Sequence, residues 1–182
     1  MRTSLPHAKQ LALTALFAAL CLIGTLLIAI PLPVGYFNVG DVFVLLAGWM
    51  LGPVYGSIAA GVGSAMADLF SGYGVYAPFT LVIKSLMACV AYFAWLFLTK
   101  SIRKPSFTAL IRLPSAILTE IVMVVGYFLT ETLFYGFPTA VGTLLGNSLQ
   151  GGCCLLLATA ILSILHPLKQ IHQLFPHLKK SS

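Results

Sequence analysis

Lysine and arginine fall into three clusters in this chain, with one exception, and long apolar runs separate the clusters. The first holds Arg2 and Lys9. The second holds Lys100, Arg103, Lys104 and Arg112, and the third Lys169, Lys179 and Lys180. Between them, stretches 11–30, 78–99, 112–135 and 139–165 are apolar and long enough to cross a bilayer, which takes roughly 20 residues. Charged residues make up 8% of the chain and hydrophobic residues 59%, against about 25% charged in soluble domains. The sequence therefore predicts one integral membrane domain over 1–182. The apolar run after Met1–Gln10 is too long for a cleaved signal peptide and carries no cleavage site.

The clusters also set the topology. Basic loops stay on the cytoplasmic side, so all three clusters are expected inside. Linkers 31–40, 71–77 and 136–138 carry no Lys or Arg and are expected outside. The segment 41–70 must then enter the membrane and return. It is long for one span, short for two, and interrupted at Gly52-Pro53. The prediction is an all-α bundle of six helices, at about 11–30, 41–52, 56–70, 78–99, 112–135 and 139–165. Helices 2 and 3 are short, and both termini are cytoplasmic. In transporters, short glycine-interrupted helices flank substrate cavities.

Polar residues at membrane depth need a partner or a ligand. Lys84 is the one basic residue outside the clusters. It lies two turns into the 78–99 helix, near the outer side. Glu131 precedes the turn Gly136-Phe137-Pro138, and Asn147 and Gln150 follow it at a similar depth. Glu120, Val124, Tyr127 and Glu131 share one helix face. Glu120 lies about 16 Å deeper than Glu131, so it is expected to make a structural interhelical hydrogen bond in its neutral form. The linker 31–40 holds Tyr36, Phe37 and Asn38 in a row between prolines and glycines, a composition that suits a lid. Tyr76 closes the next outer linker. The candidate binding residues are thus Phe37, Asn38, Tyr76, Lys84, Tyr127, Glu131, Asn147 and Gln150. One cation, one anion, two amides and several rings suit a small neutral or zwitterionic heteroaromatic molecule. Asp41 reads as an N-cap. Asp68 is open between facing water, pairing with Lys84 and touching ligand.

Other features carry less. Cys21, Cys89, Cys153 and Cys154 sit in apolar runs and read as small hydrophobes, not as a disulfide or zinc set. The histidines cluster near the ends, so no metal site is expected. The tail after Pro167 is basic and mildly amphipathic, which suggests a segment lying along the inner surface. No phosphate-binding loop and no hydrolase motif occurs, so the chain predicts neither an ATPase nor an enzyme, and no cofactor. Ala8, Ala12, Ala15 and Ala19 form a small-residue stripe on the first helix. Taken alone, the stripe favours packing inside the bundle over docking on another subunit.

Together these residues resemble a known family. The matching features are the six predicted helices, Ala15 and Ala19 on the first of them, and the run LGPVYGSIAAGVGSAMADLFSGY. APFTLVIK at the start of the 78–99 helix and GYF-x-x-E before the hairpin turn match as well. The chain is similar to the substrate-binding S component of energy-coupling factor (ECF) vitamin transporters, most of all to members assigned to hydroxymethylpyrimidine or pyridoxine. The resemblance implies a multi-pass protein of the bacterial cell membrane that binds a vitamin from outside. It implies docking through Ala12, Ala15 and Ala19 on a scaffold subunit driven by two ATP-binding-cassette ATPases, which reverses the reading of the stripe. A related S component for thiamin is the nearest alternative. An integral membrane enzyme using Glu120, Glu131 and Asp68, or a small channel subunit, are alternatives of other classes.

Overall fold

The computed structural model describes residues 6–27, 30–31, 36–101, 108–175 and 178. Among the described residues five helices are long and apolar enough to cross a membrane: α1 (His7–Leu27), α2 (Gly40–Phe70), α3 (Ala77–Ser101), α4 (Thr108–Tyr135) and α5 (Phe137–Leu165). A small antiparallel hairpin joins α1 to α2. Its strands β1 (Ile30–Pro31) and β2 (Tyr36–Phe37) pair Ile30 with Phe37 and Pro31 with Tyr36. A short helix α6 (Lys169–Leu174) follows α5. The chain is an all-α, multi-pass membrane protein. Large apolar side chains such as Leu16, Ile23, Leu129, Leu145 and Ile164 stand exposed around the bundle, where bilayer rather than water is the solvent.

The centre of the bundle is α2. In its most apolar stretch 61% of residues are buried, against 28–33% in the other four helices. The sequence gives two short helices here. The structure has one helical segment broken at Gly52, whose φ of 85° and ψ of −175° are not helical. That backbone region is essentially reserved for glycine. Past the break the chain folds back on itself, since a Cβ on Gly56 would stand 2.6 Å from the Ala47 carbonyl oxygen. Nine residues of straight helix would separate those positions by about 13.5 Å. Pro53 immediately follows the break, where it does little harm to helical bonding.

Small residues let the other helices pack tightly on α2. A side chain on Gly63 would overlap the Ala18 carbonyl of α1, and one on Gly48 would stand 2.5 Å from the Ala88 carbonyl of α3. Ser57 and Ser85 clamp α2 to α3 reciprocally, each hydroxyl donating to the other's carbonyl at 2.8 and 3.0 Å. Trp49 Nε1 donates to Ser115 Oγ at 3.1 Å, which donates to the Ala91 carbonyl at 2.8 Å, linking α2, α4 and α3.

One expectation fails here, and so does one reading that the resemblance had already reversed. The tail after Pro167 does not merely lie along a surface. Ile171, Phe175 and Leu178 pack into the cluster formed by Trp49, Trp95 and Leu162, and Phe175 and Leu178 are buried. The apolar area gained by filling that end outweighs the amphipathic pattern of a six-residue helix. The alanine stripe does not pack inside the bundle either. Ala8, Ala12, Ala15 and Ala19 are all exposed, while Thr14, Phe17 and Cys21 take the buried face.

Candidate substrate-binding cavity

At the hairpin end of the bundle, side chains from every long helix surround one cavity. Atom-free space there, open mouth included, comes to about 550 Å³, of which about 50 Å³ admits the centre of a water-sized sphere. The fold-back of α2 brings two distant stretches to this end: Asp41 near its start, and Ser64 and Asp68 near its finish. The first turns of α3 add Thr80 and Lys84, the last turns of α4 add Tyr127 and Glu131, and α5 adds Asn147 and Gln150. Tyr36 and Asn38 enter from the hairpin, and Tyr73 and Tyr76 from the turn between α2 and α3.

The lower wall is a closed polar network. The Lys84 ammonium pairs with Asp41 Oδ1, and both side chains are nearly out of solvent, at 4% and 0% exposure. Gln150 Nε2 donates to Asp41 Oδ2 at 2.7 Å. Gln150 Oε1 accepts from the Asn38 backbone N–H at 2.9 Å and from Asn38 Nδ2 at 3.3 Å. The Asn38 side-chain oxygen in turn accepts the Gly40 N–H at 2.9 Å. Lys84 also lies over the Tyr127 ring, 5.1 Å from its centroid, and Tyr127 bonds Thr80 through its hydroxyl at 3.0 Å.

This network corrects one expectation and narrows two open readings. Asp41 is not an N-cap: Asn38 satisfies the first backbone donor of α2, and the Asp41 carboxylate takes the stronger partner, a buried ammonium. Lys84 therefore pairs with Asp41 and not with Asp68. Its charge is neutralised within the wall, so the described lining residues hold no free cation for a zwitterionic ligand.

The upper wall is more open. The Tyr36 hydroxyl donates to Asp68 Oδ1 at 2.9 Å, and the Tyr36 ring stacks obliquely on Tyr73 at 5.1 Å. Burial, reinforced by the Asp68 carboxylate, pushes the Tyr36 hydroxyl well above the ordinary phenol range, so it remains a donor. Thr143 donates to the Glu131 carboxylate. Tyr76 meets Phe134 edge to face at 5.4 Å.

Of the eight candidates, Asn38, Tyr76, Lys84, Tyr127, Glu131, Asn147 and Gln150 line this cavity, and Phe37 does not. Tyr36 points in instead, because neighbouring residues in a strand face opposite ways. Ser64, Thr25 and Thr80 also line it. Ser64 and Asp68 stand four apart on one helix face, a spacing visible in the sequence. Glu120 lies outside the lining and makes no interhelical bond: both carboxyl oxygens are buried without a hydrogen-bond partner. It packs against Gly151 of α5, where a Cβ would sit 3.1 Å from Glu120 Oε2. Among the described residues no group of three or more His, Cys, Asp or Glu side chains is placed to hold a metal ion. The described cysteines carry free thiols, with Cys21 and Cys154 buried.

Comparison with known proteins adds to this geometry. The sequence model of a family described as "ECF-type riboflavin transporter, S component" matches residues 6–167. A protein of Pyrococcus woesei described as "Uncharacterized protein in gap 3'region" is 36% identical over 128 residues, 69% of this chain and 80% of that protein. The "Thiamine precursor transporter HmpT" of Lactococcus lactis subsp. cremoris is 27% identical over 150 residues, 79% of this chain and 80% of that protein.

Proposed function

This chain belongs to the ECF-type riboflavin transporter S component family, and we propose that it binds a small heteroaromatic vitamin or precursor, pyridoxine or hydroxymethylpyrimidine, in the cavity at the hairpin end. The family consists of substrate-binding transport subunits, not enzymes. The observation that carries the reading is convergence. Seven residues singled out by depth, by place in the outer linkers and by chemistry, Asn38, Tyr76, Lys84, Tyr127, Glu131, Asn147 and Gln150, surround one space. The relative named as a thiamine precursor transporter supports a pyrimidine; thiamin, and riboflavin from the family description, are the alternatives within the same role.

In this reading the two halves of α2 are separate short spans, giving six in all. Both termini are cytoplasmic, and the hairpin faces outward in a bacterial cell membrane. The exposed alanines Ala12, Ala15 and Ala19 meet a scaffold subunit coupled to two ATPases. Small side chains on an outward face let two helix backbones approach closely, and that face is not used within the bundle.

The test is titration calorimetry of the detergent-purified protein with pyridoxine, hydroxymethylpyrimidine, thiamin and riboflavin. Tight one-to-one binding of one of them, with no product formed, is the expected result. Folded protein that binds none of the four overturns the reading.

A further inference from the structure

At the end of the bundle opposite the cavity, Arg112 is buried, with 1% of its surface exposed. Its Nε and Nη2 nitrogens are out of solvent and have no hydrogen-bond partner. A guanidinium in a protein stays charged, and burying a charge is costly unless an opposite charge meets it. The acidic side chains of this chain do not supply that charge. There are four in all. Asp41 pairs with Lys84, Asp68 accepts from Tyr36 and Glu131 accepts from Thr143, all beside the cavity. Glu120 is the nearest along α4, but eight residues of helix separate it from Arg112 by about 12 Å, and neither of its carboxyl oxygens has a hydrogen-bond partner.

The groups around Arg112 add to the positive charge or leave it as it is. His166, at the end of α5, lies close enough to Arg112 to feel its charge. The His166 and His172 rings meet edge to face, their centroids 5.0 Å apart, and His172 Nδ1 is buried without a partner. Burial, then Arg112 and His172, hold the His166 imidazole below its ordinary range. A backbone hydrogen bond ties His166 to Leu178. Leu178 and Phe175 share a cluster with Ala116 and Leu162, which stand one helical turn from Arg112 and His166. The C-terminal segment therefore packs over an unpaired cation.

The geometry selects the ligand. Nε–H and the adjacent Nη2–H lie on one edge of the guanidinium, the fork that grips two oxygens of one oxyanion. A carboxylate would cancel Arg112 alone, whereas a phosphate has further oxygens and charge for the two imidazoles. The position agrees. Arg112 opens the apolar stretch Arg112–Tyr135, at the boundary of the hydrocarbon, where basic pockets between helices take phosphate head groups. The exposed Lys100 and Lys169 belong to the same end and would draw an anion towards it.

We propose that Arg112, with His166 and His172, forms a phosphate-binding site at the end of the bundle opposite the cavity, closed by the C-terminal segment. The phosphate is free in solution or carried by a lipid head group, and the same fork holds either. The site is independent of the vitamin held at the other end.

The test is thermal unfolding of the full chain in detergent at neutral pH and constant ionic strength. Inorganic phosphate and acetate are each set against chloride. Mixed micelles with phosphatidylglycerol are set against the same micelles with uncharged diacylglycerol. At least one phosphate-bearing probe should raise the midpoint by about 2 °C or more over its control. A rise with inorganic phosphate assigns the free anion, and a rise with phosphatidylglycerol alone assigns the head group. Arg112→Met should remove the rise. In chloride this variant should unfold no lower than wild type, because an apolar side chain replaces an unpaired charge. No rise with either probe overturns the proposal. So does a rise that survives in Arg112→Met, which would put the anion on the exposed lysines. An equal rise with acetate overturns the assignment to phosphate. If Arg112→Met unfolds lower in chloride, or does not fold, the guanidinium supports the bundle and the proposal fails.

Discussion

Lys84 and Asp41 form an ion pair on the cavity wall that is almost entirely out of solvent. A lone lysine at membrane depth marks a polar site, Gln150 lies at a similar depth, and Asn38 comes from the outer linker. All three do border the cavity. Their partners were not legible, because Asp41 pairs with Lys84 across 43 positions and with Gln150 across 109. Such pairs depend on how each helix is rotated, which periodicity leaves open to within a residue or two. The pairing changes what a substitution should do. Breaking a buried ion pair by removing one partner leaves an uncompensated charge and destabilises by about 3–5 kcal/mol. Lys84→Ala should therefore lower the thermal unfolding midpoint in detergent, and adding Asp41→Asn should recover most of the loss. If Lys84→Ala unfolds at the wild-type temperature yet loses affinity, the lysine contacts substrate directly. Glu120 gives the opposite case. Its buried oxygens have no hydrogen-bond partner to lose, so Glu120→Gln should leave substrate affinity within about twofold, by the same calorimetry.

Element by element, the α2 segment was the most legible part of the fold. Its length, the absence of Lys and Arg on either side, and Gly52-Pro53 together called for a reversal. The structure places the break at Gly52 with a φ of 85°. Gly52→Ala forces a side chain into a backbone region that costs roughly 1–3 kcal/mol, although the new methyl would make only ordinary van der Waals contact, with Tyr92 3.7 Å away. The expected result is a lower unfolding midpoint from backbone strain alone. An unchanged midpoint would mean that the reversal does not depend on this glycine. The hairpin was only half legible. Its mixture of rings and turn residues suggested a cover for the cavity, but with two-residue strands the sequence could not show that Tyr36 rather than Phe37 turns inward. Residues 32–35 of that linker lie outside the described residues. The C-terminal segment was misjudged because one short helix carries too few residues for periodicity to distinguish a surface from a lid on the core.

For the whole molecule, the informative face is the one the bundle does not use. Ala8, Ala12, Ala15 and Ala19 run along the outside of α1, and Phe17 and Cys21 on the opposite face hold the helix to α2. Small residues on an outward face give up apolar contact area with lipid and gain nothing within the monomer. They are useful where a second backbone must come close. Ala15→Leu with Ala19→Leu should therefore leave the bundle and its cavity intact, since neither side chain touches the core. Substrate affinity and the unfolding midpoint of the purified protein should match wild type. Co-purification with the proposed scaffold subunit and uptake in cells should both be lost, because two leucines hold the backbones apart. The cavity lies at the hairpin end, and Ala15 and Ala19 face away from it, so a direct effect on the ligand is not expected. If binding and assembly fail together, the stripe supports the fold of the monomer. If assembly and uptake both survive, the scaffold meets some other face of the bundle.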